Sequence, residues 1–96
     1  MVLVDLSEFT KGVRQGIARE TTNGEVLEQL AHDVEWLVRA AVANNRHTFS
    51  STLEKLSDDS EWIVRRNVAN NANKSLATKK KLAQDENKDV RAAAGR

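Results

Sequence analysis

Two consecutive stretches align without a gap: TNGEVLEQLAHDVEWLVRAAVANNRH at residues 22–47 and TFSSTLEKLSDDSEWIVRRNVANNAN at residues 48–73. Thirteen of the 26 aligned positions carry the same residue. A partial copy with a loop one residue shorter precedes them at 1–21, and a degenerate copy follows at 74–96. The pattern therefore predicts a single domain over residues 1–96, built from a repeat of 26 residues.

Each repeat is predicted to form two short α-helices. The first helix opens at Thr22 or Thr48, because threonine is a good N-cap residue. The second opens near Asp33 or Asp59, where an acidic side chain suits the positive end of a helix. Apolar residues at helical spacing predict the buried sides of both helices, namely Val26, Leu27, Leu30 and Ala31 in the first and Val34, Leu37, Val38, Ala41 and Val42 in the second.

The ends of the second helices carry the pairs Asn44-Asn45 and Asn70-Asn71. Asparagine tolerates the left-handed conformation that ends many helices, so these pairs are predicted to terminate them. One helix pair buries too little apolar surface to fold alone, and neighbouring pairs must therefore share a core. This requirement predicts an all-α stack of helix pairs.

The pattern T-x4-L-x2-L-x2-D-x2-W-x-V-R-x2-V-A-x-N, from Thr48 to Asn71, resembles the leucine-rich repeat variant family. That family is a bacterial branch of the HEAT-like α-solenoids. The resemblance implies a short right-handed superhelix of stacked helix pairs. Some members also carry a cysteine-ligated iron–sulfur cluster, which is not expected here because the chain contains no cysteine.

Composition excludes several classes of site and location. Without cysteine there are no disulfides, thiolate zinc sites or cysteine nucleophiles. No apolar run approaches the roughly 20 residues that span a bilayer. The opening MVLVDLSEF lacks the basic segment of a signal peptide. A cytoplasmic protein without membrane contact is expected.

No catalytic or metal-binding pattern occurs in the sequence. His32 and His47 are the only histidines, and neither lies in a metal-ligand spacing such as HExxH. The serines have no base in a recognised motif, and a glycine-rich phosphate loop is absent. We therefore expect no catalytic, cofactor-binding or metal-binding residues, no cofactor and no small-molecule substrate, and we do not expect an enzyme.

Aspartate and arginine recur six residues apart in three successive units, as Asp33/Arg39, Asp59/Arg65 and Asp85/Arg91. A row of arginines can bind phosphates along a groove. Alternatively, each aspartate caps a helix start and each arginine pairs with an aspartate of its own or the next unit. Residues that recur in every unit more often maintain the unit, so the structural interpretation is favoured.

Two other features are candidates for a binding surface. Trp36 and Trp62 recur one repeat apart and either form a stacking platform or peptide anchor, or pack across the repeat junction, which is favoured. Basic and polar residues that depart from the repeat, together with neighbouring cations, form a candidate basic face consisting of Arg65, Arg66, Asn67, Lys74, Lys79, Lys80, Lys81 and Lys88. The simpler interpretation is a solvated end-cap helix, with Leu76, Leu82 and Ala83 on its inner side.

These observations predict a non-catalytic binding or scaffold module that engages a protein partner, or itself, through the solenoid surface. The alternative is nucleic-acid binding through a basic C-terminal face. Residues 1–49 carry five Lys/Arg against seven Asp/Glu (net −2), and residues 50–96 carry ten against seven (net +3). A third possibility is that the repeats belong to a longer array.

Overall fold

A computed structural model describes residues 5–95, and the secondary structure found there is seven α-helices joined by short turns. The helices are α1 Lys11–Glu20, α2 Gly24–Leu30, α3 Trp36–Asn44, α4 Ser50–Leu56, α5 Trp62–Asn70, α6 Leu76–Leu82 and α7 Lys88–Ala94. No strand occurs between residues 5 and 95. The predicted all-α class is confirmed.

Four helices, α1, α3, α5 and α7, pack side by side in chain order, and we call them the main row. The intervening helices α2, α4 and α6 each pack between the main-row helices that precede and follow them in the chain. The shared core is aliphatic, and its fully buried members include Leu27, Leu53, Leu82, Val38, Val42, Val64, Val68 and Val90. The described residues extend over 37 × 22 × 17 Å.

The caps of the short helices differ from the predicted ones. Asn23, one residue after Thr22, caps α2 by accepting hydrogen bonds from the N–H groups of Glu25 and Val26. Thr48 is buried, and its hydroxyl donates to the carbonyl of Val42 at 2.7 Å. The prediction that Thr22 and Thr48 are N-cap residues is therefore wrong, because one is displaced by a neighbouring asparagine and the other satisfies a carbonyl of the preceding helix.

The second helices begin later than predicted. α3 starts at Trp36, and Asp33 lies in the turn before it, where its carboxylate accepts the N–H of Glu35 at 2.9 Å. Val34 lies in the same turn and is 89% exposed. Its predicted burial is wrong, because a residue outside the helix does not follow the helical spacing.

The asparagine pairs end their helices by a different mechanism from the predicted one. Asn45 and Asn71 have extended backbones, with φ near −80° and ψ of 127° in both. No residue between 5 and 95 has a positive φ. The prediction of a left-handed terminus is wrong, and the asparagine side chains act instead as described below.

The inner side of α6 is only partly as predicted. Leu82 is buried and Ala83 packs against the core. Leu76, however, is 67% exposed at the first position of the helix, so its predicted place on the inner side is wrong.

Helix α1 contains Gly12 and Gly16, and at both positions there is space for a side chain. Apart from its chain neighbours and the backbone of α1 itself, a Cβ at Gly12 or Gly16 would meet no heavy atom within 4 Å, and neither glycine has a positive φ. Glycine inside a helix costs about 1 kcal/mol relative to alanine. We expect Gly12→Ala and Gly16→Ala each to raise the free energy of unfolding by about 0.5–1 kcal/mol in urea titrations. A loss of stability in both would contradict the described position of α1.

Candidate functional site

Arg39 and Asp59 join one helix pair to the next. The Nε and Nη2 atoms of Arg39 donate to the two carboxylate oxygens of Asp59 at 2.7 and 3.2 Å. Nη1 of Arg39 donates to the backbone carbonyl of Asp33 at 2.8 Å. The exposed fractions of the two side chains are only 17% and 7%. This bidentate geometry is the strong form of an arginine–carboxylate pair.

The same contact occurs at the preceding and following junctions. Arg14 donates to Asp33 at 2.7 and 3.2 Å, and Arg65 donates to Asp85 at 2.8 and 3.2 Å. We call these three arginine–aspartate pairs the ladder. Their guanidinium groups are committed to carboxylates within the fold, which leaves little capacity for an external phosphate.

Two ladder carboxylates have pKa values below their ordinary range. Burial raises the pKa of Asp33 and Asp85, but hydrogen bonds from Arg14 and Arg65 and from backbone N–H groups outweigh it. The unfolded chain therefore binds more protons than the folded chain as the pH falls through the carboxylate range, so acid destabilises the fold.

A pH series tests this linkage. The stabilisation from these carboxylates is present above the unfolded-state pKa near about 4. It is lost as the pH falls towards the lower folded-state pKa. We therefore expect the urea concentration at half-unfolding to decrease once the pH is lowered below about 4. The variant Asp33→Asn/Asp85→Asn should be less stable at neutral pH and should lose less further stability in acid. An equal acid response of both proteins would contradict the linkage.

Buried asparagines connect the same units at the helix ends. The Nδ2 group of Asn45 donates to the carbonyls of Ala18 and Thr21 at 2.9 and 2.8 Å, while Oδ1 accepts the N–H of His47 at 2.7 Å. A helix leaves its last carbonyls without partners in the helix, and the asparagine supplies donors for them. Asn71 makes the corresponding contacts to the end of α3.

A groove opens on the side of the main row opposite the buried valines. It has a volume of about 320 Å³. Its lining comes from α1, α3 and α5 and the residue after α3, and consists of Gln15, Arg19, Trp36, Leu37, Ala40, Ala41, Asn44, Asn45, Ile63 and Asn67. We call this the main-row groove. Its apolar lining includes the small side chains of Ala40 and Ala41 and the larger side chains of Trp36, Leu37 and Ile63.

The tryptophans have a mixed environment. Trp36 and Trp62 are both half-buried and pack against the core, and Trp36 also lines the main-row groove. The Arg66 guanidinium lies over the Trp62 ring, 5.3 Å from its centroid. Each tryptophan therefore packs against the core with part of its side chain and leaves another part accessible to solvent.

Sequence reasoning missed most of the groove. Leu37 and Ala41 were predicted on the buried side of α3, yet both are half-buried and line the groove with Ile63. The available signal was their angular position, since residues 37, 41 and 63 lie away from the valines at 38, 42 and 64 on a helical wheel. Asn67 is the one residue of the predicted basic face that lines the groove.

The predicted basic face does not assemble as one open cationic surface. Arg65 is buried and bound to Asp85, so its place on that face is wrong. Lys81 lies 2.5 Å from Asp58, and Lys74 donates to the carbonyl of Asn71 at 3.1 Å. Arg66 stacks on Trp62, whereas exposed residues of the face include Lys80 and Lys88, with Lys79 half-buried.

The histidines lie apart from both features. His32 and His47 are exposed, and Nε2 of His32 is 2.9 Å from a carboxylate oxygen of Glu28. Over residues 5–95, no group of three His, Asp or Glu side chains is arranged to hold a metal ion. No helix in that range is long and apolar enough to cross a bilayer. No protein-family model, no curated protein and no solved structure matches this chain.

Proposed function

We propose that this chain is a non-catalytic binding module that engages a protein partner through the main-row groove. Its architecture in this proposal is a right-handed solenoid of 26-residue helix pairs, of the leucine-rich repeat variant kind. The helix starts support that architecture, because α2, α4 and α6 begin at residues 24, 50 and 76, and α3, α5 and α7 at 36, 62 and 88. The recurring ladder supports it further. The proposed setting is the cytoplasm.

The observation that carries the proposal is the composition of the groove. Trp36, Leu37 and Ile63 present partly accessible apolar surface beside the small side chains of Ala40 and Ala41. Concave apolar surfaces with a few polar groups are typical of ligand sites. Aromatic side chains are also enriched among the residues that dominate protein–protein binding.

The polar groups of the groove favour a peptide segment as the bound element. Gln15 and Asn44 line it, and neither side-chain amide makes a hydrogen bond within residues 5–95, so these amides are available to the main chain of a bound segment. Arg19 is the charged residue of the lining, which contains no acidic residue. We therefore expect a partner that places an apolar side chain against the apolar lining of the groove and a carboxylate near Arg19.

Selection of short peptides on the immobilised chain tests the proposal. Peptides from a random display library should be enriched in an apolar residue next to Asp or Glu. Ala41→Arg fills the groove with a long side chain and should weaken binding of a labelled selected peptide by about tenfold or more, equivalent to about 1.4 kcal/mol. Ser51→Arg places the same side chain on the exposed surface of α4 and serves as the matched control.

Two outcomes would contradict the groove as the binding site. One is equal binding of the selected peptides to both arginine variants when circular dichroism shows both to be folded. The other is a selection that yields no specific peptide at all.

Nucleic-acid binding through the C-terminal lysines is the alternative function. Exposed Lys80 and Lys88 support it, whereas the contacts of Lys81 and Lys74 within the fold favour the groove. A fluorescence titration with duplex and single-stranded DNA and RNA separates the two. Binding that weakens steeply with salt and is lost when Lys79–Lys81 are replaced by glutamate would support the alternative.

A further inference from the structure

Arg91 has the local arrangement of a ladder arginine but holds no carboxylate within residues 5–95. Its Nη1 donates to the carbonyls of Asp85 and Glu86 at 2.7 and 3.0 Å, as Nη1 of Arg39 does to the equivalent carbonyls of Asp33 and Val34. In Arg39, Nε and Nη2 then bind a carboxylate of the following pair. In Arg91 those two atoms have no partner among the described residues, although Nη1 already orients the group.

At the opposite end of the main row, a carboxylate occupies the sequence position of a ladder aspartate. Each ladder aspartate stands six residues before an arginine, as Asp59 stands before Arg65, and accepts the arginine of the preceding pair. Glu8 stands six residues before Arg14. Glu8 is exposed, and its carboxylate has no hydrogen bond or ion pair in the described part of the chain.

Exposed apolar side chains occur at both ends of the main row, as do the unpaired Arg91 and Glu8 of the described chain. Val13 precedes Arg14 as Val38 precedes Arg39, but Val13 is 47% exposed, whereas Val38 is fully buried. At the other end, Leu76 occupies the position that Gly24 has in α2, and the ring of Phe49 from the following pair covers Gly24. Leu76 thus lies where a following pair would make contact. Within residues 5–95, neither Val13 nor Leu76 has the neighbour that covers the equivalent interior position.

We propose that two copies of this chain associate head to tail, with Arg91 of one copy binding Glu8 of the other as Arg39 binds Asp59. Leu76 of the first copy then faces the exposed Val13 end of the second. The contact joins two different surfaces, so each further copy repeats it and the product is a concentration-dependent series of oligomers. This surface is separate from the main-row groove, and the proposal does not depend on the groove.

Charge reversal at each end tests the pairing in the full chain. Sedimentation velocity of the native protein should show a mass that rises from micromolar to millimolar concentration. Arg91→Glu and Glu8→Arg should each weaken association by about tenfold or more, since a charge-assisted pair becomes a repulsion. An equimolar mixture of the two variants should associate again, because the mixture restores Arg91 opposite Glu8 and also pairs the two reversed charges.

The controls separate pairing from misfolding. Glu8→Arg changes an exposed side chain without contacts in the described fold, so it leaves the ladder intact. Arg46→Glu reverses an exposed charge away from both ends and should associate like the native chain. A native protein that stays monomeric throughout, a Glu8→Arg variant that associates normally, or folded variants whose mixture stays monomeric would each overturn the proposal.

Discussion

Asp59→Ala is expected to lower the free energy of unfolding by about 3 kcal/mol, the lower end of the range for breaking a buried ion pair. The substitution removes both carboxylate bonds to Arg39 and leaves that guanidinium half-buried without its partner. It also removes the acceptor for the N–H of Glu61 at 3.0 Å. Urea unfolding followed by far-ultraviolet circular dichroism measures the change.

The neighbouring Asp58→Ala is the matched control for this prediction. Asp58 is 71% exposed and pairs with Lys81, whose side chain is 46% exposed. Exposed pairs contribute about 0–1 kcal/mol, so this variant should remain within about 0.5 kcal/mol of the native chain. Equal decreases in the free energy of unfolding in Asp59→Ala and Asp58→Ala would contradict the larger contribution assigned to the ladder contact.

Asn45→Ala is expected to destabilise the fold by a similar amount, about 3 kcal/mol. The side chain is 7% exposed and satisfies the carbonyls of Ala18 and Thr21 and the N–H of His47. Each buried polar group left without a partner costs about 1–3 kcal/mol. The total stability of a small domain is about 5–15 kcal/mol, so the loss should be plain in equilibrium unfolding.

The adjacent asparagine provides the control for this variant. Asn44 is exposed at the end of α3, and Asn44→Ala should change the unfolding free energy by less than about 0.5 kcal/mol. Asn71→Ala should behave like Asn45→Ala, because Nδ2 of Asn71 binds two carbonyls of the preceding unit at 2.9 and 3.0 Å. Similar stabilities for Asn44→Ala and Asn45→Ala would contradict the assigned hydrogen bonds.

The apolar periodicity was sufficient to predict the all-α class. It placed Leu27, Leu30, Val38 and Val42 correctly in the core, because helical spacing depends on local geometry alone. It failed at Val34, which lies in a turn where that spacing does not hold. Helix boundaries depend on competing caps, and Asn23 replaced Thr22 in that role.

The candidate site was less predictable because it depends on contacts between units. Leu37 and Val38 are adjacent aliphatic residues on different sides of α3, and the packing of neighbouring helices decides that Val38 is buried while Leu37 stays partly accessible. The charge pattern marked Arg65 as part of a basic face, but its partner Asp85 lies twenty residues away. Residue type alone does not distinguish an arginine that joins units from one that faces solvent.

The ladder also bears on the proposed function. Arg39 and Asp59 fix α3 relative to the following helix pair, and Asn45 fixes it relative to α1. The groove walls from α1, α3 and α5 are therefore held together by polar contacts as well as by the core. A preformed groove reduces the ordering cost of binding.

Amide chemical-shift mapping of the isotope-labelled chain with a selected peptide is the most direct test of the groove as a binding site. We predict the largest shifts at lining residues of α1, α3 and α5, in particular Gln15, Leu37, Ala41 and Ile63. Shifts concentrated instead on Lys79–Lys81 and Lys88, with the groove amides unchanged, would contradict the proposal and move the binding site to the C-terminal lysines.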